Sequence, residues 1–195
     1  MPYLLLGLLL FLGVHSVRIV ADGWRTQTIA RMGEKPWKGC YSALSLLGFA
    51  LIVWGYGLAR QQPVLLWTPP MGMKHLNSLF TLAAFVLLAA AYVPRNHFKA
   101  RLHHPMLLGV KLWALGHLLA TAKLADAALF GAFLLWAILD YRAARRRDRA
   151  LGTAYPGGTV AGTLGALAAG VLAWAAFAFW LHAAWIGVAP LGRSL

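Results

Sequence analysis

Acidic residues are scarce: five Asp or Glu stand against 18 Lys or Arg in 195 residues, a formal net charge of +13. All charged residues together make up 12% of the chain and 61% is hydrophobic. A soluble domain carries roughly 25% charged residues. So little charge cannot solvate the surface of a soluble domain, and so much apolar content excludes disorder. Cysteine occurs once, at Cys40, which excludes an intramolecular disulfide and a Cys-ligated cluster. With no CxxCH, a covalently attached c-type haem is excluded as well. The glycines follow no collagen period. H-E-x-x-H, a Gly-rich phosphate loop and a Ser-His-Asp order are all missing. A basic excess ordinarily points to nucleic acid, but that requires Lys and Arg clustered on a soluble face. In this chain they lie between long apolar runs, which leaves an integral membrane protein.

A helix needs about 20 predominantly apolar residues to cross the bilayer core. Six runs qualify: Tyr3 to about Val20, Tyr41 to Leu58, Leu76 to Val93, Pro105 to about Ala122, Ala125 to Tyr141 and Thr159 to Val188. They are continuous and rich in Leu and Ala, so they predict helices and not barrel strands. Pro105 suits a first helical turn, and Asp126 suits the positive dipole end of the fifth helix. The first run has no basic residue before it and no small-x-small cleavage site after it, so it reads as a retained helix and not as a removed signal. The sequence thus predicts an all-α polytopic bundle of about six transmembrane helices, forming a single domain over residues 1–195.

The connectors divide the basic residues unevenly. Arg25, Arg31, Lys35 and Lys38 lie in the first, Arg95, Lys99 and Arg101 in the third, and Arg142, Arg145, Arg146, Arg147 and Arg149 in the fifth. Arg60, Lys74, Lys123 and Arg193 lie on the alternate side. The positive-inside rule makes the first set cytoplasmic and both termini non-cytoplasmic. The expected location is a bacterial inner membrane, crossed several times. The run Arg142–Arg149 is then a cytoplasmic flank that attracts anionic lipid headgroups, with no nucleic-acid role. In the sixth helix, Gly158 and Gly162, Ala161 and Gly165, and Ala166 and Gly170 are four apart and permit close helix packing. Trp174, Trp180 and Trp185 read as packing and interfacial anchors.

Ionisable residues inside spans are costly and mark function. His15, Arg18, Lys111 and His117 are such residues. His15 and Arg18 share one face of the first helix, and Asp22, four residues on, offers Arg18 a partner. His104 and Lys111, seven apart, share a stripe of the fourth helix. His103 and His104, being adjacent, would point about 100° apart on a helix and make no two-ligand face. His75, His97 and His182 fall near the predicted interfaces and read as solvated or headgroup contacts. Neutral imidazole binds haem iron axially. His15 lies roughly 8 Å from the cytoplasmic end of its helix and His117 roughly 18 Å from the start of its own. That offset of about 10 Å permits two axial ligands on a tilted haem; the alternative is one buried histidine bonded to a neighbouring Ser or carbonyl.

Several segments resemble a known family. His15-Ser16-Val17-Arg18 resembles an HSxR-type opening, and Arg101 to Gly109 resembles an RHPM-x-x-G turn. Leu112 to Leu119 resembles an LWAxxHLL helix, and Leu129-Phe130-Gly131 with Trp136 to Asp140 resembles the span that follows. In that order and spacing, over essentially the whole chain, they are similar to the NnrU family. The resemblance implies a polytopic membrane protein associated with denitrification, in nitrite and nitric oxide reduction. The same domain family includes the plant 15-cis-zeta-carotene isomerase, which carries a b-type haem. Carried over by motif, its axial histidines fall on His15 and His117. Arg18, Lys111 and His104 are further cofactor-binding candidates, Arg18 and Lys111 as candidates to pair with the propionates. Two departures stand out. Ala114 occupies the place of a cysteine three residues before the second histidine, which argues against a redox-driven ligand switch. Leu102-His103 separates Arg101 from His104.

Three functions follow as expectations. The first is a haem b protein supporting nitrite or nitric oxide metabolism. The second is a haem-dependent isomerase of a polyene lipid such as a carotenoid. The third is a membrane methyltransferase using S-adenosylmethionine. It rests on the RHP turn followed by Asp148, Leu151, Gly152 and Tyr155, similar to isoprenylcysteine carboxyl methyltransferases and methanethiol methyltransferases, although the acidic pair of that family is missing. The implied partners are membrane lipids and a lipid-soluble or small gaseous substrate, with no nucleic acid.

Overall fold

The computed structural model describes residues 1–191, and every regular element among them is helical. The helices are α1 (Pro2–Val20), α2 (Asp22–Met32), α3 (Glu34–Ala59), α4 (Met73–Tyr92), α5 (His97–Leu102), α6 (Pro105–Ala120), α7 (Leu124–Leu151), α8 (Val160–Ala176) and α9 (His182–Ile186). A π-helical turn, Phe177–Leu181, joins α8 to α9 without a break. Five segments are long and apolar enough to cross a membrane: α1, α3, α4, α7 and the α8–α9 unit Val160–Ile186. The sixth, α6, has 16 residues and is shorter than the others. The chain is a multi-pass helical membrane bundle.

Contacts between connectors show that α6 crosses too. On one side, Arg147 donates to the Arg18 carbonyl at 3.1 Å, and the Thr159 amide donates to the Arg95 carbonyl at 2.6 Å. The end of α1 therefore meets the end of α7, and the third connector meets the fifth. On the other side, the Leu66 amide donates to Ala122 at 2.7 Å, the Leu124 amide to Val64 at 2.9 Å, and Arg60 to the Ile186 carbonyl at 2.6 Å. The second and fourth connectors meet there, beside the end of α9. This is the same alternation that sorts the basic residues.

The spans pack in the order α3, α1, α7, α6, α4, α8. Small residues set the closeness of the crossings. A Cβ on Gly7 would lie 2.6 Å from the Ile52 amide nitrogen, and one on Gly48 would lie 2.7 Å from that of Phe11, so α1 and α3 touch backbone to backbone. Gly158, Gly162 and Gly170 do the same for α8 and its approach, against His97, Arg95 and Val86, and Ala166 is fully buried. Gly165 makes only ordinary contact with Val93. A core of Leu4, Leu8, Ile52, Ala114, Ala125, Leu129 and Phe130 fills the space between α1, α3, α6 and α7.

Three boundaries differ from the sequence reading. The first connector is itself helical, as α2, between the break at Ala21 and Gly33 at φ 88°. The basic run is not a loop, because α7 continues through it to Leu151. Ala and Arg favour helix, Arg145 pairs with Asp148 and Arg147 with Asp140, and Gly152 at φ 59° ends it. His103 and His104 are not on a helix either. His103 breaks the chain at φ 65° and His104 is the cap of α6, so the 100° helical rule does not apply to them.

Candidate functional site

His15 and His117 sit on different helices but face the same one. His15 stacks on Phe11 with ring centroids 4.2 Å apart and meets Trp136 edge-on at 6.1 Å. His117 stacks on Phe130 at 4.5 Å. Trp136 and Phe130 are six residues apart on α7, or about 9 Å along its axis at 1.5 Å per residue. The two imidazoles thus meet α7 at different levels, close to the offset of about 10 Å expected from helix lengths alone, and about 120° apart around its axis.

Each histidine satisfies one ring nitrogen in the same way. His15 Nδ1 lies 2.7 Å from the Phe11 carbonyl, and His117 Nδ1 lies 2.8 Å from the Trp113 carbonyl. A carbonyl only accepts, so Nδ1 carries the proton in both and Nε2 holds the lone pair. Neither Nε2 has a hydrogen-bond partner among the described residues. That tautomer, with the outer nitrogen tied to backbone, is the one metal-bound histidines adopt. Between the two levels stands Phe133, whose ring contacts Phe11 at 5.9 Å and Trp113 at 5.6 Å.

The other candidates lie elsewhere. Arg18 is 3.8 Å from Asp22 and its side chain is 58% exposed, the pairing its spacing offered. Lys111 lies 3.9 Å over the centre of the Tyr141 ring, a cation–π contact. His104 meets the same Tyr141 edge-on at 6.2 Å, so the expected stripe of His104 and Lys111 converges on one α7 residue.

His104 belongs to a polar cluster on the side of the bundle where Arg95 meets Thr159. Three donors converge on Asp148 Oδ2: His104 Nε2 at 2.8 Å, Arg145 Nη1 at 3.0 Å and the Tyr155 hydroxyl at 3.0 Å. Burial, then the bond to Asp148, pushes the Tyr155 hydroxyl up to about 12. His103 packs edge-on against Tyr155 at 4.2 Å with its Nδ1 buried and unpartnered among the described residues. Burial and the nearby Arg145 charge lower its pKa.

Two polar residues carry structure that the sequence reading did not foresee. Asp126 accepts from the Tyr56 hydroxyl at 2.5 Å and is 4% exposed. The signal was an acid inside an apolar helix, in a chain with only five acids. Asn96 is 1% exposed, donates to the Ala90 and Val93 carbonyls and accepts from the Lys99 amide. No pattern marked it. His97 and His182 are also internally bonded, to Thr163 at 2.7 Å and the Val188 carbonyl at 2.6 Å, and so are not simply solvated.

No grouping of three or more His, Cys, Asp or Glu suited to a metal ion occurs among the described residues. No curated protein and no solved structure matches the chain significantly. The family described as NnrU protein matches residues 3–190. The order of helices, the connector alternation and the motif-bearing histidines all lie within that match, and the chain belongs to the NnrU family.

Proposed function

We propose that this NnrU family membrane protein binds a b-type haem through His15 and His117, in a bacterial inner membrane, and supports nitrite or nitric oxide reduction. The observation that carries this is the shared state of the two imidazoles. Both are proton-bearing at Nδ1, both are tied to a carbonyl one turn back, and both face α7 with Nε2 unbonded among the described residues. The donor chemistry suits axial ligation. Phe11, Trp113, Phe130 and Phe133 supply an aromatic, water-excluding lining. Phe133 has to turn aside for one macrocycle to reach both histidines. When bound through both histidines, haem would supply one-electron chemistry, and a small gas would bind the iron only in place of one histidine. The chain's own part is to fix both rings, hold their protons at Nδ1 and exclude water.

The absorption spectrum of the detergent-purified protein, oxidised and reduced, tests this. A Soret band with sharp reduced α and β bands is expected, and His15→Ala and His117→Ala should each alter it. An unchanged spectrum in both variants rules out the ligand assignment. A haem-dependent polyene isomerase would use the same two histidines and would differ in isomerising an added carotenoid.

The methyltransferase alternative draws on one observation. His104, Asp148 and Tyr155, the residues behind that resemblance, are joined in one hydrogen-bonded cluster. Saturable S-adenosylmethionine binding by a haem-free preparation, lost in Asp148→Asn, would move this alternative to first place.

A further inference from the structure

The α4–α5 connector, α5 and the α7–α8 connector line an open cavity of about 270 Å³. Pro94, Pro156 and the Tyr155 ring form its apolar flank, and Arg95, Asn96 and Lys99 its polar one. It lies apart from the paired histidines and is smaller than the pockets of about 300–1,000 Å³ that take drug-sized ligands.

Arg95 and Lys99 have no carboxylate partner among the described residues, because all five acids are engaged elsewhere. Asp22 pairs with Arg18 and Arg25, Glu34 with Lys38, Asp140 with Arg147, and Asp148 with Arg145 and His104. Asp126 accepts from Tyr56. The Lys99 ammonium donates only to the Ala91 carbonyl, at 3.0 Å. Two cations therefore line one cavity with their charge uncompensated by the chain.

The rim is also held rigidly. Asn96 uses both its amide group and its oxygen on the turn. The Arg95 carbonyl accepts from Thr159 twice, at 2.6 and 3.1 Å, and Arg95 is fixed at φ 51°, in the left-handed region that arginine rarely adopts. This restraint fixes the backbone at Arg95, one of the residues that line the cavity. The location matters too. The apolar helix α4 ends at Tyr92, three residues before Arg95. The end of an apolar span is where headgroup phosphates lie, and basic pockets between helix ends suit them.

We propose that this cavity binds a phosphate group, carried either by an anionic phospholipid headgroup or by a small soluble phosphate ester. Arg95 grips it with its planar fork and Lys99 adds a point charge.

Native mass spectrometry of the full chain in detergent tests this with three probes: short-chain phosphatidylglycerol, the matching phosphate-free diacylglycerol, and glycerol 3-phosphate. Asn tolerates the left-handed backbone, so Arg95→Asn combined with Lys99→Gln removes both charges without adding strain. Lys99→Gln alone leaves the strained turn untouched. The double variant should bind the phosphate probe at least about tenfold more weakly, and the single variant should shift in the same direction. A control, Arg146→Gln with Arg149→Gln, alters the same face outside the cavity and should leave binding within about twofold. Phosphatidylglycerol binding without competition from glycerol 3-phosphate identifies a lipid source, and effective competition identifies a soluble one. Equal binding of the diacylglycerol, unchanged binding in the double variant, or equal weakening in the control pair overturns the proposal.

Discussion

The Tyr56 hydroxyl donates to Asp126 Oδ1 at 2.5 Å and so ties α3 to α7 inside the apolar bundle. Asp126 is the one buried carboxylate among the described residues. Removing its donor leaves a buried acid without that bond, which costs about 2–3 kcal/mol. Tyr56→Phe should therefore lower the melting temperature in detergent by roughly 4–10 °C. Replacing both partners, as Tyr56→Phe with Asp126→Leu, should recover most of the loss, because no buried polar group is then stranded. A double variant less stable than Tyr56→Phe would show that Asp126 serves something other than this bond.

Two glycines on α1 should respond oppositely to alanine. At Gly7 a Cβ would lie 2.6 Å from the Ile52 amide nitrogen, so Gly7→Ala has to push α1 and α3 apart and should destabilise by about 1–3 kcal/mol. At Gly13 nothing lies within 4 Å, and alanine should be neutral or stabilising by up to about 1 kcal/mol. Paired thermal melts decide it; equal effects would mean that the α1–α3 crossing is looser than described.

Phe133 touches both Phe11 and Trp113, the residues whose carbonyls hold the two histidines. If His15 and His117 share one haem, Phe133→Ala should raise the haem-to-protein ratio and Phe133→Trp should lower it. A pyridine haemochrome assay reads both. The same ratio in both variants would argue against a macrocycle bridging the two levels.

Tyr155 should titrate late. Burial and the bond to Asp148 raise its hydroxyl from 10.0 to about 12, so the folded state holds this proton more tightly than the unfolded chain does. The resulting stabilisation is complete below pH 10 and is lost as pH rises through about 12. Phenolate absorbance should differ between the wild type and Tyr155→Phe only at the alkaline end of that window. A difference centred near pH 10 would mean that the Tyr155–Asp148 bond does not persist in solution.

Local composition was enough to read the membrane class, the helical spans and the alternation of basic connectors. Each depends on residues near in sequence: a run of apolar side chains or a basic flank. His15 and His117 stood out because an ionisable ring is costly among apolar neighbours. The extension of α7 was missed because charge runs read as loops, although Arg145 and Arg147 find their acids on the same helix. Asn96 was missed because a polar residue beside Pro94 and Arg95 reads as an ordinary turn.

The sequence by itself determined that this chain crosses a membrane as helices, and which side each connector shares, since bilayer thickness and loop charge act on single segments. Only the tertiary structure decided which polar residues meet. It joined Tyr56 to Asp126, gathered His104, Arg145 and Tyr155 on Asp148, and left Arg95 and Lys99 without an acid. Tyr56 and Asp126, and His104 and Asp148, lie far apart along the chain. Their meeting depends on which helix faces pack, and close small-residue crossings such as Gly7 on Gly48 set that packing.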